Sequence, residues 1–304
     1  MKIYVAPVQG HTDVAWRYFH HKIYGGNLRY FTPFLRCERG EPRLKDIRDF
    51  KNSLNGEVDL EPQVIFRDMD ELEILLRPLV DAGAKSVNLN MGCPFPPQMA
   101  KGRGAAFILN VSEAEKLPGS LAHYPEVRFS VKMRLGMENS DEWKGIIGIL
   151  NSIELENIYL HPRVARQKYT GDLHHDSFRE FLEASANPVV FNGDVKTPND
   201  MGRVIDTFPN VNGIMVARGV LCRPSLPIEF DEGEWSKERR LSTMIKFHQE
   251  LFHYYKSHLC GEAQILSKIK PFWEYAEGEI GRKAWKALKK SASLSKYEAA
   301  LKLI

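Results

Sequence analysis

The chain of 304 residues has little cysteine and no long apolar run, and both absences limit what it can be. Its four cysteines are scattered, with no CxxC pair and no zinc-like spacing, so we expect no disulfide framework and a reducing compartment. No stretch of about 18 or more apolar residues occurs, so we expect no membrane-spanning helix. The sequence starts in a strand pattern without the apolar core of a signal peptide, which favours a cytoplasmic protein.

The net charge of +3 is unevenly distributed along the chain. Residues 235–304 contain 14 Lys/Arg and 7 Asp/Glu, a net charge of +7, whereas the rest of the chain contains 28 and 32, a net charge of −4. A basic segment on a mildly acidic body fits a polyanionic partner, and it fits a solvated lysine-rich helical face equally well.

Apolar residues alternate in a way that predicts eight β-strands, most of them separated by segments with helical spacing. The strand patterns are KIYVAP (2–7), YFTPFL (30–35), PQVIF (62–66), SVNLNMG (86–92), FSVKMRLG (129–136), NIYLHPR (157–163), NPVVFNGD (187–194) and GIMVARG (213–219). This order predicts an α/β fold of the (β/α)8 TIM-barrel type. An open doubly wound sheet is the alternative, but no GxGxxG follows the first strand, which argues against a dinucleotide-binding version.

The strand patterns stop near residue 234 and amphipathic helical patterns follow, including STMIKFHQELFHYYKSHL and GRKAWKALKKS. We therefore predict a boundary between Pro224 and Trp235. The barrel domain would span residues 1–230, and a small C-terminal helical domain would span residues 235–304.

Polar residues recur late in successive strands, on the face opposite the apolar one. Because side chains alternate along a strand, this face should point towards the barrel axis. The set comprises Gln63, Asn90, Lys132, His161 and Asn192. Such groups are costly to bury without partners, so they imply a polar ligand or a mutual network. Active sites of these barrels lie at this end of the strands.

The loops after the seventh and eighth predicted strands read Asn192-Gly193-Asp194 and Ala217-Arg218-Gly219. In barrels of this type these two loops commonly bind phosphate. The glycines permit close backbone approach, and Arg218 can pair with an anion. A cofactor with one phosphate and a polar ring fits this arrangement better than a dinucleotide.

Several short motifs occur in a fixed order along the chain. They are VAPVQGHTD (5–13), PQ (62–63), NLNMGCP (88–94), KGRGAAF (101–107), VKMRLG (131–136), HPR followed by RQKYTG (161–171), NGD (192–194) and ARG (217–219). Together they resemble the motifs of the flavin-dependent tRNA-dihydrouridine synthases. The resemblance covers about residues 3–225, and the basic helical tail is similar to the family's RNA-binding domain. NxNxGCP followed by KGxGAA is the most specific part.

The resemblance implies that FMN binds at the mouth of the barrel and that NADPH reduces it. Pro7, Val8 and Gln9 would lie against the isoalloxazine ring. The remaining cofactor contacts would be Gln63 and Lys132 at the polar edge of the flavin, His161 near it, and Asn192, Gly193, Asp194, Ala217 and Arg218 around the ribityl phosphate.

The resemblance also implies that Cys93 protonates C5 of a uridine extruded from tRNA while hydride reaches C6. A thiol with an ordinary pKa of about 8.5 is mostly protonated near pH 7 and can donate. Substrate contacts would come from Asn90, Lys101, Arg103 and Arg163, with Lys286, Lys289 and Lys290 binding tRNA from the tail. We expect a monomer. We also expect no metal site, because the adjacent His174 and His175 do not easily converge on one ion.

The sequence departs from the family pattern at four places. Val8-Gln9 stands where Met-Glu or Met-Ala is common, HPR (161–163) replaces HGR, and Ala217 replaces a common glycine. His174-His175 occur where Ala-Asp-Trp is frequent. Two alternatives remain at this point: an FMN barrel that acts on a free pyrimidine, and an RNA-binding relative without catalysis. The basic tail argues against the first, and the presence of Cys93, Lys132 and His161 argues against the second.

Overall fold

Eight parallel strands close into a barrel in the computed structural model, which describes residues 1–304. Each strand pairs with the next, and the last pairs with the first. The strands are β1 (Lys2–Val5), β2 (Leu28–Phe31), β3 (Asp59–Glu61 and Gln63–Val64), β4 (Ser86–Met91), β5 (Arg128–Gly136), β6 (Leu155–Val164), β7 (Val189–Phe191) and β8 (Gly213–Val216). The predicted TIM barrel is confirmed.

Strand β3 is interrupted at Pro62, whose nitrogen has no hydrogen to donate. The first half of β3 pairs with β2 and the second half pairs with β4. The carbonyl of Pro62 still accepts from the Asn88 backbone N–H at 2.9 Å, so the barrel remains closed across the interruption.

The helices cover the outside of the barrel and then form the C-terminal region. They are α1 (Val14–Tyr24), α2 (Leu44–Phe50), α3 (Met69–Asp81), α4 (Pro96–Met99), α5 (Val111–Ala114), α6 (Leu117–Leu121), α7 (Ile147–Asn151), α8 (His175–Ala184), α9 (Pro198–Thr207), α10 (Arg218–Cys222), α11 (Leu226–Glu232), α12 (Lys237–His258), α13 (Glu262–Ile269), α14 (Glu277–Ile280), α15 (Arg282–Lys290) and α16 (Leu294–Leu301). Short 3-10 turns cover Ser53–Glu57, Gly104–Leu109, Glu142–Gly145, Ala165–Gln167 and Lys270–Trp273. No helix is long and apolar enough to cross a membrane.

Helix α3 shows how the periodic pattern builds the outer layer. Leu72, Leu75, Leu76 and Leu79 recur at helical spacing and are all buried against the barrel. Asp68 begins the helix by accepting a hydrogen bond from the Glu71 backbone N–H at 2.8 Å. The helix continues past Pro78 to Asp81, so the proline does not end it.

The core has two parts that reflect the two faces of the strands. One large apolar cluster lies between the outward strand faces and the helices, and it extends into the C-terminal helices. A small cluster, centred on Tyr4, Phe31 and Tyr159, fills the axis of the barrel. Buried polar side chains, among them Asn88 and Ser130, share the barrel interior with this cluster. They point inward because side chains alternate along each strand.

The C-terminal helices pack on α1 rather than standing apart from the barrel. The ring of Phe247 in α12 lies 5.6 Å from that of Trp16 in α1. Asp13, which caps α1, accepts hydrogen bonds from the Tyr255 hydroxyl at 2.8 Å and from Lys268. One carboxylate therefore joins the start of α1 to two tail helices.

We expect Asp13→Ala to lower the free energy of unfolding by roughly 2–4 kcal/mol, because it removes an N-cap and charge-assisted bonds to Tyr255 and Lys268. The measurement is urea denaturation followed by circular dichroism. Asp176→Ala is the matched control, since Asp176 lies in the first turn of α8 with its side chain 98% exposed, and its change should stay within about 0.5 kcal/mol. Equal stability losses in the two variants would contradict the bridging role of Asp13.

Candidate active site

A cavity of about 740 Å³ opens at the C-terminal ends of the strands. This is a usual size for a cofactor or ligand site. All the residues predicted to hold the cofactor line it, together with Cys93 and Asn90. The cofactor set is Pro7, Val8, Gln9, Gln63, Lys132, His161, Asn192, Gly193, Asp194, Ala217 and Arg218.

The turn that carries Cys93 is held by the side chain of Asn90. Its Oδ1 accepts from the backbone N–H groups of Gly92 at 3.1 Å and Cys93 at 2.9 Å. Its Nδ2 donates to Oε1 of Gln63 at 2.8 Å. The bond to Gln63 therefore fixes the orientation of the Asn90 amide, and Asn90 in turn fixes the direction in which the chain leaves β4.

The hydrogen bonds continue from Gln63 down the barrel axis. Gln63 Nε2 donates to Asn88 Oδ1 at 2.7 Å, and Asn88 Nδ2 donates to Ser130 Oγ at 2.5 Å. Ser130 Oγ in turn donates to Glu61 Oε1 at 2.5 Å. Glu61 is fully buried, and burial raises the pKa of its carboxyl to about 7, against the opposing effect of the Ser130 hydrogen bond and Arg29. A single chain of polar side chains thus links the barrel interior to the Cys93 turn.

Two glycines let other segments pack directly against this turn. A Cβ on Gly92 would lie 3.0 Å from the backbone of Met133 in β5. A Cβ on Gly104 would lie 2.7 Å from the Cys93 carbonyl oxygen and 2.9 Å from its Cβ, and Gly104 has a φ of +63°. The KGxGAA segment therefore supports the cysteine turn, and glycine is required at its second glycine position by both space and backbone conformation.

The thiol of Cys93 is half-buried, and burial raises its pKa above the ordinary value. A hydrogen bond from the Phe95 backbone and the positive charges of Lys132 and Arg134 act in the opposite direction. The thiol is therefore protonated near neutral pH, which suits a proton donor.

Lys132 faces the cavity, and its Nζ donates to Asn192 Oδ1 at 2.8 Å. Burial, followed by repulsion from Arg134, lowers the pKa of its ammonium to about 7. Two of its three N–H groups have no protein partner, so this residue is available to an acceptor atom of a ligand.

His161 reaches the cavity although Pro162 replaces the family glycine. Strand β6 continues to Val164, with a shift in its register against β5 between His161 and Val164. The Nε2 atom of His161 lies 3.2 Å from Nη1 of Arg163. Burial, and then the positive charge of Arg134, lowers the pKa of the imidazole well below its ordinary value. His161 is therefore neutral at physiological pH.

The far side of the cavity is built by the loops after β7 and β8. A Cβ on Gly219 would lie 2.0 Å from the Val195 carbonyl oxygen, so only glycine lets the two loops meet. Asp194 has a φ of +42° and accepts from Arg163, and from Arg218 at 3.2 Å. The paired guanidiniums lower the pKa of its carboxyl. Arg218 is one-third exposed and still has N–H groups free for an anion.

These features fit FMN. The loops after β7 and β8 meet where Arg218 can reach a phosphate. Lys132 has two N–H groups without a protein partner and Gln63 has one, and both residues lie where the polar edge of the flavin ring would need hydrogen-bond donors. Ala217, at the position of a common family glycine, lines the cavity at the start of α10.

Three of the four barrel residues predicted to contact substrate do not line the cavity; they are Lys101, Arg103 and Arg163. Arg103 is buried, and its guanidinium is occupied by Glu71, by Gln98 and by the Cys37 carbonyl. The prediction for Arg103 is therefore wrong, because a guanidinium already satisfied by a buried carboxylate cannot also bind tRNA at the surface.

The other two residues lie close to the mouth without contributing to its wall. Arg163 is buried, and its N–H groups bind Asp194 and the Gly171 carbonyl, so it holds a loop instead of contacting substrate. Lys101 is exposed outside the cavity wall. The tail residues Lys286, Lys289 and Lys290 are exposed on α15, and their role remains a prediction.

The sequence reasoning missed several residues at the site. Arg134 shares the inward face with Lys132, so alternation contained its signal, and its guanidinium binds the carbonyls of Gly92, Val164 and Lys168. Tyr169 lies at the mouth with Arg218 at 4.7 Å from its ring centroid. Tyr275 reaches the cavity from the C-terminal region, and nothing in the local sequence signals this.

A sequence model of the family described as dihydrouridine synthase (Dus) matches residues 4–302. A probable tRNA-dihydrouridine synthase of Staphylococcus epidermidis is 27% identical over 287 residues, which cover 91% of this chain and 85% of that protein. A probable tRNA-dihydrouridine synthase 2 of Bacillus subtilis is 26% identical, with 83% and 78% covered. The tRNA-dihydrouridine synthase B of Pseudomonas putida is 25% identical, with 72% and 65% covered.

Solved structures with a similar fold include morphinone reductase in complex with tetrahydroNAD and a histamine dehydrogenase from Rhizobium sp. 4-9. The first has a TM-score of 0.54 and 9% identity, and the match covers 76% of this chain and 86% of that chain. The second has a TM-score of 0.56 and 13% identity, with 83% and 48% covered. At these identities the similarity concerns the fold alone.

We expect iodoacetamide to modify Cys93 with a rate that rises through a midpoint at higher pH than that of a free thiol. The reason is that the thiolate reacts and burial raises the pKa of the thiol, so the protonated form persists to higher pH. The measurement is peptide mass spectrometry of the modified fraction against time between pH 6 and pH 11. Glutathione in the same buffers serves as the free-thiol control, and a Cys93 midpoint below that of glutathione would contradict the expectation.

Proposed function

The chain belongs to the dihydrouridine synthase family, and from this premise we propose that Cys93 protonates the uridine that the enzyme reduces. The enzyme is an oxidoreductase that converts uridines of tRNA to dihydrouridine, with FMN as cofactor and NADPH as reductant. The family assignment supports neither the alternative of an FMN barrel that acts on a free pyrimidine nor that of an inactive RNA-binding relative.

The observation that carries the role of Cys93 is a protonated, half-buried thiol on a fixed turn at the mouth of the cavity. Asn90 and Gly104 hold the turn, so the thiol keeps one direction towards whatever enters. A uridine must leave the base stack before such a group can reach its ring. In the reduction, the S–H bond breaks, the proton goes to C5, and the thiolate is reprotonated from solvent.

Bound FMN would supply the hydride that reaches C6 of the same ring. Lys132, Gln63 and His161 would orient the polar edge of the flavin, since Lys132 and Gln63 have spare N–H groups facing the cavity. Pro7, Val8 and Gln9 would lie against its ring system.

The phosphate of FMN would bind between the loops after β7 and β8. Asn192, Gly193, Asp194, Ala217 and Arg218 surround that side of the cavity, and Arg218 supplies the cation. Arg163 would act through Asp194, because the two side chains form an ion pair behind the loop. Asn90 would position Cys93 and reach the substrate from the same wall.

We propose that residues 1–230 form the catalytic domain and that residues 235–304 supply much of the tRNA affinity, acting in the cytoplasm as a monomer. The charge of the second segment supports this role, since a net charge of +7 attracts the phosphate backbone. Lys286, Lys289 and Lys290 lie three and four residues apart on α15, which places them on one exposed face of the helix.

We expect Cys93→Ala to lower dihydrouridine formation by roughly 10²–10⁴-fold, the usual effect of losing a positioned general acid. FMN binding and the bleaching of the flavin by NADPH should remain near wild type, because neither step uses the thiol. Stopped-flow spectroscopy of reduction by NADPH and of reoxidation by unmodified tRNA separates the two half-reactions.

The matched control for this variant is Cys260→Ala, since Cys260 is an exposed free cysteine in the tail. It should leave both half-reactions unchanged. If Cys93→Ala reoxidises with tRNA at the wild-type rate, Cys93 is not the acid. If it loses FMN instead, the cysteine has a structural role.

We expect the triple charge reversal Lys286→Glu, Lys289→Glu and Lys290→Glu to weaken tRNA binding and to flatten its salt dependence. Each cation on a phosphate contributes about 0.7–0.9 to the slope of log affinity against log salt, so the slope should fall by up to about 2–3. Filter binding between 50 and 300 mM salt measures both quantities.

The control reverses three exposed lysines of the barrel, Lys22, Lys51 and Lys85. It changes the net charge by the same amount but should leave most of the slope intact. Identical slopes for the two triple variants would mean that only the overall charge matters, and the assignment of tRNA binding to α15 would then be wrong.

A further inference from the structure

Phe95 is an exposed aromatic side chain beside the proposed catalytic thiol. Its side chain is 56% exposed, although it stands only two residues after Cys93 and lines the same cavity. A phenyl ring exposed at the mouth of the cavity is free to contact a ligand that enters it. The proposed roles of Cys93, FMN and the tail lysines do not use this ring.

The segment that carries Phe95 is rigid. Pro94 and Pro96 fix the backbone on both sides, and the Phe95 carbonyl accepts from the backbone N–H groups of Gln98 at 2.9 Å and Met99 at 3.1 Å. A fixed backbone presents the ring at a set position, so less conformational freedom is lost on binding than with a flexible loop.

The same segment is anchored from beneath at its far end. Arg103 forms a buried ion pair with Glu71 of α3 and donates to the Cys37 carbonyl at 3.1 Å. Gly104 then packs against Cys93. The loop between Cys93 and Gly104 is thus tied down at both ends, and Phe95 is held at its outer surface.

The charges around the mouth identify what kind of ligand would cover the ring. Six basic side chains line the cavity against one carboxylate, that of Asp194; they are Arg36, Lys132, Arg134, Lys168, Lys196 and Arg218. Arg36 also pairs with Glu38 outside the cavity, and Lys132 has a pKa of about 7, so the remaining four supply most of the excess positive charge. An apolar protein surface does not account for this excess of positive charge. An exposed aromatic ring among cations is instead the pattern with which proteins bind unstacked nucleotides.

We propose that Phe95 is a stacking platform for the nucleotide next to the extruded uridine in tRNA. This rests on the proposed function, since it assumes that the uridine occupies the cavity over Cys93. The ring is more exposed than the half-buried thiol, so it meets the part of the strand that stays outside. Every base has a π-face, so this contact positions the strand without reading its sequence.

The experiment compares Phe95→Ala, Phe95→Leu and Phe95→Trp in the full-length, FMN-loaded enzyme. The affinity for unmodified tRNA, kcat/KM for tRNA and the rate of flavin reduction by NADPH are measured for each. Ala and Leu should weaken tRNA affinity and kcat/KM by roughly five- to a hundredfold. Phe95→Trp should keep tRNA affinity and kcat/KM near the wild-type values. The rate of flavin reduction by NADPH should stay at the wild-type value in all three variants.

Leu109→Ala is the matched control, since Leu109 is 55% exposed and lies just beyond the same loop without lining the cavity. The proposal is overturned if Leu substitutes fully for Phe, because a plain apolar contact would then suffice. It is also overturned if tRNA affinity survives Phe95→Ala, or if reduction by NADPH slows, which would assign the ring to the nicotinamide. A wild-type enzyme that binds tRNA but makes no dihydrouridine would instead contradict the proposed function, while the affinity comparison still tests Phe95.

Discussion

The arrangement of the site depends on the two hydrogen bonds that Asn90 accepts from the backbone of Gly92 and Cys93. They turn the chain as it leaves β4 and aim the thiol into the cavity. Asn90 can do this only because its other amide atom is fixed by Gln63, which is fixed in turn by Asn88. In a buried network of this kind each amide determines the orientation of the next, and an unpaired member would cost about 1–3 kcal/mol. The direction of the thiol is therefore set by the hydrogen-bonded amides of the barrel interior.

The second constraint is electrostatic. Lys132 and Arg134 share one face of β5, and burial lowers the pKa of both side chains. Repulsion from Arg134 adds to this effect at Lys132, and repulsion from Arg163 adds to it at Arg134. Arg134 gives its N–H groups to three backbone carbonyls, while Lys132 keeps two for a ligand. A site that holds unneutralised cations is stabilised when an anion or a polar acceptor arrives. The barrel is thus arranged to be completed by a ring that carries hydrogen-bond acceptor atoms and by a phosphate, which agrees with the family's cofactor.

Sequence reasoning was accurate where a residue's position follows from the period of its own strand. Gln63, Asn90, Lys132, His161 and Asn192 all line the cavity because side chains alternate along a strand and each residue stands late in it. The reasoning was wrong for Arg103, whose positive charge suggested a tRNA contact. Its partner Glu71 lies 32 residues earlier on a different element, and no local pattern indicates such a pair. The same holds for Arg163, which pairs with Asp194 across 31 residues.

The barrel, the strand ends that carry the polar residues, and the glycine and proline positions around Cys93 can be predicted from the amino-acid sequence alone, because these depend on local geometry. The cations that remain available to a ligand can be identified only in the folded chain. Arg103 is satisfied by the buried carboxylate of Glu71, and Arg163 by Asp194 and the Gly171 carbonyl. Lys132 and Arg218 instead face the cavity, and Arg218 makes one contact with Asp194. The tertiary structure also brought Tyr275 from the C-terminal region to the mouth. Burial and ion pairing depend on elements distant in sequence, so the type of a charged residue alone does not reveal its role.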